Sequence, residues 1–444
     1  MILTHALQPV PHPPAPNTLE QAGLSLDLVL QLVLKSLHFA GELTGAELAR
    51  RLGVRFSVVE PALYALKQQH QVEVLGGAML GGPSYRYRIT DSGRTRAALF
   101  LESSHYVGAA PVPLAQYRAY MTEYLKHAPR AATRDLVRQA FEHLVISDRV
   151  LDQLGPAINA GHSMFVYGPP GNGKTVISQA IQKLLHGDIH IPHAIEVEGS
   201  IIRLFDPVTH EAVSNESLEG SGNVDTGVPV DQRWVTCRRP LVMVGGELTL
   251  EALELSYSPV SGFYKAPVQA LANGGVLVID DFGRQRVAAR DLLNRWIVPL
   301  ESRVDYLTLN SGQKFELPFM VLIAFATNIR PQELVDEAFL RRIHYKVLCE
   351  SPSYEDYIHI FRNYCEAKDL RFDRTMVEQL LDGYYKDHSI ALRGCQPRDL
   401  IDQSLSLAEY LGRPRELTPD LLRSACDSYF VDDAEATSSS PLHA

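Results

Sequence analysis

The stretch MFVYGPPGNGKTV, residues 164–176, decides the fold. Four apolar, β-prone residues run into Gly168, and Gly168–Thr175 then fits G-x-x-x-x-G-K-[ST]. The residues that follow, TVISQAIQKLLH, alternate with helical period. Strand, glycine-rich loop and helix in that order form a cradle for a triphosphate. Glycines let backbone N–H groups approach the phosphates closely, and the helix N-terminus adds a favourable dipole. The nucleotide-holding residues read from the motif are Gly168, Pro169, Pro170, Gly171, Asn172, Gly173, Lys174, Thr175 and Val176. Lys174 supplies a point charge to the β- and γ-phosphates, and the Thr175 hydroxyl is a ligand for Mg²⁺. The bland alternative, a glycine-rich turn with an incidental lysine, does not account for the flanking strand and helix.

Working outward, GGVLVIDDFGR, residues 274–284, reads as a buried strand that ends in two carboxylates. Asp280 takes the place of a Mg²⁺-holding acid, and Asp281 that of the group orienting the attacking water. The implied cofactors are ATP and Mg²⁺.

Composition bounds the rest. The chain has 444 residues, enough for two or three domains. With 45% hydrophobic and 21% charged residues it reads as an ordinary globular protein. A formal net charge of −10 gives no overall attraction to nucleic acid or to an anionic membrane. No apolar run approaches the roughly 20 residues of a membrane span, and the N-terminus does not read as a signal peptide. Five cysteines, at 237, 349, 365, 395 and 426, show no C-x-x-C pairing and suit reduced thiols. The expected location is therefore cytoplasmic.

Composition shifts divide the chain. Residues 1–20 form a Pro-rich N-terminus expected to be disordered, and 432–444 a flexible tail. Residues 21–103 read as three helices, a pair of short strands around a Gly-rich bend, and a further helix. Residues 104–130 read as a linker, 131–350 as the nucleotide-binding core, and 351–431 as a helical lid. The expected class is α/β: a P-loop NTPase core with a central parallel sheet flanked by helices, an α-helical lid and a winged-helix-like N-terminal domain.

With both motifs in place, residues 120–430 resemble an AAA+ ATPase. PFMVLIAFATN, 318–328, is similar to the sensor-1 strand, with Asn328 placing the hydrolytic water. DEAFLRRIHYKV, 336–347, resembles the segment that lends an arginine finger to a neighbouring subunit, through Arg341 or Arg342. RGCQPRDL, 393–400, resembles the sensor-2 helix start, with Arg398 preferred over Arg393 for contact with the γ-phosphate. SRVDYLTLNSGQKFELP, 302–318, resembles the pre-sensor-1 hairpin of the branch holding MoxR-like and McrB-like ATPases and enhancer-binding activators. The resemblance implies a ring, expected to be a hexamer, that hydrolyses ATP to remodel a protein partner. Two departures stand out. The acid pair is Asp-Asp where the family usually has Asp-Glu, which implies slow or partner-stimulated turnover. The GAFTGA loop of the activators is absent. Arg284 just past the acids is a further candidate to reach a neighbour's nucleotide, and the long 188–272 stretch is read as an insertion.

The alternative reading is a DNA-binding regulator acting through residues 21–103. Between 21 and 100 there are nine Lys+Arg against six Asp+Glu, a small excess for phosphate neutralisation. The third helix of the unit carries Arg55, Ser57, Lys67, Gln68 and Gln69, opposed by Glu60, and Arg86 and Arg88 lie in the wing. A degenerate, non-hydrolysing scaffold is a third reading, disfavoured by the intact motifs. His186, His190 and His193 sit close in sequence, but Gly187 and Pro192 break any helix that would align them on a metal. Tyr257, Phe263 and Tyr264 are read as packing residues, with a substrate-gripping role as the alternative.

Overall fold

A central sheet of five strands, all parallel, carries the molecule: β1 Met164–Tyr167, β2 Leu241–Val244, β3 Val276–Ile279, β4 Leu322–Thr327 and β5 Tyr345–Leu348. They lie side by side in the order β2-β3-β4-β1-β5. The computed structural model describes residues 12–75, 82–127, 132–185, 187–213, 230–335 and 337–430. Strand sequences such as VLVI and LIAFAT are buried at every position, and apolar at all but Thr327, because a parallel sheet must be covered on both faces. Met164, Val166, Val278 and Ala324 pack on one face with helices Asp148–Ala160 and Lys174–Leu184. Phe165, Leu277, Ile279 and Phe325 pack on the other with Trp296 and Leu293 of helix Ala289–Ser302. Each fully buried side chain of this size contributes on the order of 2 kcal/mol. The α/β class read from the sequence is the class observed.

In the N-terminal unit, Ser25 and Gly41 cap helix Leu26–Ala40, and Thr44 with Glu47 forms a capping box at the head of Gly45–Leu52. Helices Phe56–Gln68 and Asp91–Ser103 complete its helical part. The sheet has one strand more than the pair read from sequence. Glu42–Thr44 pairs with Arg86–Ile89, which also pairs with Val72–Val74. Glu42–Thr44 carries a single apolar residue between two helices, so it has no alternation that would set it apart from a turn. Most of the Gly-rich bend, residues 76–81, lies outside the described residues, as do the first eleven residues and the tail from 431.

The segment 104–130, expected to be a linker, contains helix Leu114–His127. Its Tyr117, Tyr120, Met121 and Tyr124 are buried against strands from the 188–272 stretch. Those strands make a mixed sheet in the order 256–258, 263–265, 200–203, 194–197 and 112–113, beside the antiparallel pair 188–192 and 234–238. The expected 302–318 hairpin is present, with Val304 opposite Pro318 and Thr308 opposite Lys314. One of its faces, Leu307, Phe315 and Leu317, closes the same core. Arg295 from the preceding helix donates to buried Asp305 at 2.7 Å and fixes the hairpin's base.

The N-terminal unit shares its core with the mixed sheet, because Ala194 and Ile201 belong to its apolar cluster. Arg233 and Asp231, both 2% exposed, pair at 2.8 Å between the two. The same guanidinium donates to the carbonyl of Ala22 at 2.9 Å and to Gln116 at 3.2 Å. The C-terminal part is helical, with helices Tyr354–Ala367, Arg374–Leu380, Gln396–Tyr410 and Pro419–Tyr429.

Candidate nucleotide-binding site

The quoted loop leaves the C-terminal end of β1, and the acid pair leaves the C-terminal end of β3, two strands away across β4. In a parallel sheet all such ends open on one edge, so residues over a hundred positions apart meet there. Thr175 Oγ1 donates to the Asp280 carboxylate, 2.9 Å from Oδ2 and 3.1 Å from Oδ1. Asp280 Oδ1 also accepts the amide of Asp281 at 3.0 Å. These two side chains form a hard-oxygen pair suited to Mg²⁺, which takes oxygen ligands and keeps several waters.

Gly173 opens helix Lys174–Leu184 in the left-handed conformation, with φ +72°. Among the described residues the amides from Gly171 to Thr175 donate no hydrogen bond. That row of unsatisfied N–H groups at a helix N-terminus is an anion cradle. Lys174 is buried, and its Nζ donates to the loop's own carbonyls, Gly168 at 3.1 Å and Pro169 at 2.8 Å. Burial holds its pKa below the usual lysine value, with Asp281 and Asp280 opposing that shift and Arg393 adding to it. An arriving polyphosphate supplies the counter-charge this ammonium lacks. The residues present fit a nucleoside triphosphate with a divalent cation.

Asp281 lies exposed with φ +47°, a backbone region that L-residues rarely adopt. Asn328, one residue past β4, donates from Nδ2 to Asp281 Oδ1 at 3.1 Å. Gln285, which the sequence reading missed, holds the turn from below. Its Nε2 donates to the carbonyls of Asp280 at 2.9 Å and Asp281 at 3.2 Å, while its Oε1 accepts from Gly283 N at 2.8 Å. A glutamine in a polar turn carries no sequence signal for such a role.

The C-terminal helical part reaches the loop through residues 393–395. The Gly394 amide donates to Asn172 Oδ1 at 3.1 Å, and the Cys395 amide to the Gly171 carbonyl at 2.8 Å. Arg393 accompanies them. Its Cβ and Cδ come within 3.6 Å of the place a Gly171 side chain would occupy, and its charge acts on Lys174. Arg398, the preferred residue at sequence level, is instead turned onto Asp399, with Nε 2.9 Å from Oδ1. The reason is local: Arg398 lies inside the first turn of its helix, next to an acid, whereas Arg393 precedes the helix and faces the loop.

Arg341 and Arg342 lie apart from this cluster. Arg341 is exposed and makes no side-chain hydrogen bond or ion pair among the described residues. Arg342 is 18% exposed, pairs with Glu301 at 2.6 Å and lies over the Phe339 ring. Arg284 is also exposed. His186 lies outside the described residues. His190 is buried against Tyr120 and Thr236, His193 packs on Phe205, and no His/Cys/Asp/Glu cluster suited to a metal occurs among the described residues. Tyr264 is buried with its hydroxyl on the Asn310 amide, Tyr257 leans on it, and Phe263 packs edge-on to Tyr106.

Comparison with known proteins adds three findings. Residues 353–428 match the family profile described as "Domain of unknown function (DUF8689)". A vesicle-fusing ATPase of Dictyostelium discoideum is 40% identical over 57 residues, which are 13% of this chain and 8% of that protein. Among solved structures, the RuvB Holliday junction branch migration motor of Thermotoga maritima aligns over 65% of this chain and 70% of its own, at 13% identity and TM-score 0.36. NtrX from Brucella abortus in complex with ADP aligns over 78% of this chain and 68% of its own, at 15% identity and TM-score 0.38. Among the described residues no helix is long and apolar enough to cross a membrane.

Proposed function

We propose that this protein is an AAA+ ATPase that hydrolyses ATP and uses the cycle to remodel a protein partner. The observation that carries the reading is the meeting of Thr175 and Asp280 beside a loop with free amides and a buried lysine. In this reading the amides of Gly171–Thr175 and the Lys174 ammonium bind the phosphates. Thr175 and Asp280 would hold Mg²⁺, which would supply counter-charge to the phosphates. Asp281 accepts a proton from, and orients, the attacking water, and Asn328 keeps that carboxylate aimed. Arg393 is the cation that approaches the γ-phosphate from the lid, in place of Arg398.

Charge that spreads over the γ-phosphate oxygens calls for a second cation. Arg341, exposed and unpaired among the described residues, is the residue we assign to reach a neighbouring subunit's nucleotide; Arg342 is occupied by Glu301. Activity would then depend on assembly into a ring. Equilibrium ATP binding and steady-state hydrolysis, measured from nanomolar to micromolar chain, test this. Hydrolysis per chain should rise with concentration, and Lys174→Ala should abolish binding. Full activity in a dilute monomer, or tight ATP binding by Lys174→Ala, would sink the reading.

For the N-terminal unit, protein docking is favoured over DNA binding by its paired cations. Arg86 and Arg88 both bond Glu42, at 2.8 and 3.1 Å, and Arg55 and Ser57 are engaged by Asn17. With the acids counted against the cations, the excess over residues 21–100 is only three, a small charge for displacing counterions from a duplex. Salt-dependent binding of duplex DNA by the full chain would reverse this preference.

A further inference from the structure

A second cleft lies where residues 105–107, past the last helix of the N-terminal unit, cross the mixed sheet. Its volume is about 280 Å³, and its lining includes His105, Tyr106, His193, Arg203, Phe205 and Phe263. The alternation of the sheet explains the lining. Ile202 and Tyr264 point into the core shared with the 302–318 hairpin, so Arg203 and Phe263, one residue along, point the other way. Ile201, on that same outer face, meets the N-terminal unit. Arg203 lies at the end of its strand, beyond the covered part.

Lys265 is the register partner of Arg203 on the adjacent parallel strand, so the two cations stand side by side on one face. Among the described residues neither makes an ion pair. The one side-chain hydrogen bond of Arg203 among them runs from Nε to the Phe205 carbonyl at 3.3 Å, which leaves its Nη groups to other acceptors. The charge of Arg203 is felt by both His193 and Tyr106, and no carboxylate of the described residues acts on either. Two edge-to-face pairs, Tyr106 with Phe263 and His193 with Phe205, fix the walls. In a chain of net charge −10 this is a local positive site with aromatic sides.

We propose that this cleft binds a small aromatic anion: a ring that carries one phosphate or carboxylate group. The Arg203 guanidinium matches the two oxygens of such a group in a forked arrangement. His105 and His193 add N–H donors, and the aromatic walls take the ring. The volume lies just below the range of drug-sized sites, which suits a ligand of one ring.

The test uses the full chain and phenyl phosphate as probe, with the imidazole proton resonances of His105 and His193 as the readout. These are assigned from His105→Gln and His193→Gln, and they report this cleft whatever the probe does at the phosphate loop. Both resonances should shift saturably with phenyl phosphate and with benzoate, and stay still with benzyl alcohol. Inorganic phosphate should bind at least tenfold more weakly. Arg203→Gln, an exposed substitution whose folding is checked by an unchanged melting temperature, should weaken phenyl phosphate at least tenfold, and Lys265→Gln by less. No shift, an equal response to benzyl alcohol, or undiminished binding by folded Arg203→Gln would overturn the site. Equal affinity for inorganic phosphate would overturn the role of the aromatic walls.

Discussion

Asn328 Nδ2 lies 3.1 Å from Asp281 Oδ1, so the residue that ends one central strand restrains the acid that ends the next. Asp281 is exposed and Asn328 half-buried, whereas the turn beneath them is held by buried Gln285. A short carboxylate on a strained backbone is thus aimed by its neighbours rather than by its own length.

Asp281→Asn should keep ATP affinity within about threefold and lower the hydrolysis rate by roughly 10²-fold or more, the usual scale for loss of a general base. Single-turnover assays with radiolabelled ATP measure both. Wild-type turnover in Asp281→Asn would remove the assigned role. Asn328→Ala should lower the rate less, since the acid remains.

Arg393 and Arg398 separate cleanly. Arg393→Ala should reduce ATP hydrolysis at least tenfold, while Arg398→Ala, which loses only an exposed pair with Asp399, should stay within about twofold. Steady-state kinetics on the two variants decide between them, and the reverse ranking would restore Arg398.

Two loop glycines differ in what a methyl group meets. At Gly168, φ +146°, a Cβ would stand 2.2 Å from the Cys349 carbonyl oxygen; at Gly173, φ +72°, it meets nothing within 4 Å. Gly173→Ala should therefore destabilise by about 1 kcal/mol, through backbone strain alone, and Gly168→Ala by considerably more. Urea unfolding of the two variants compares them directly.

Arg233→Met should destabilise the chain by roughly 3–5 kcal/mol, because it leaves Asp231 charged and buried without its partner. Loss of the contacts to Ala22 and Gln116 should also loosen the N-terminal unit. Hydrogen exchange should show faster opening of residues 19–75 than of the central sheet.

His190 gives a pH signature. Burial is the main cause that lowers its pKa from 6.5 to about 3, with His12 contributing. The folded state therefore prefers the neutral ring. Its contribution is fully present above about pH 6.5 and is lost as pH falls toward 3, at about 1.4 kcal/mol per pH unit. Thermal melts from pH 7 to 4 should fall less steeply for His190→Gln than for the wild type.

Much of this protein is legible in its sequence. The strand-loop-helix of 164–184 and the strand-acid pair of 276–281 declare themselves because their chemistry is local: glycine where the backbone must approach an anion, and apolar runs where both sheet faces are covered. The C-terminal helices are local in the same sense. What only the tertiary structure decided depends on distant partners. It packed helix Leu114–His127 into a core, since Tyr117, Tyr120 and Tyr124 find their apolar surroundings in strands some 70 to 120 residues away. It set Arg393 rather than Arg398 against the loop, because the direction of a side chain at a helix start follows from how the whole helical unit is docked. It brought Arg203 and Lys265 side by side through the register of two strands that are sixty residues apart, a relation that no spacing in a linear chain encodes.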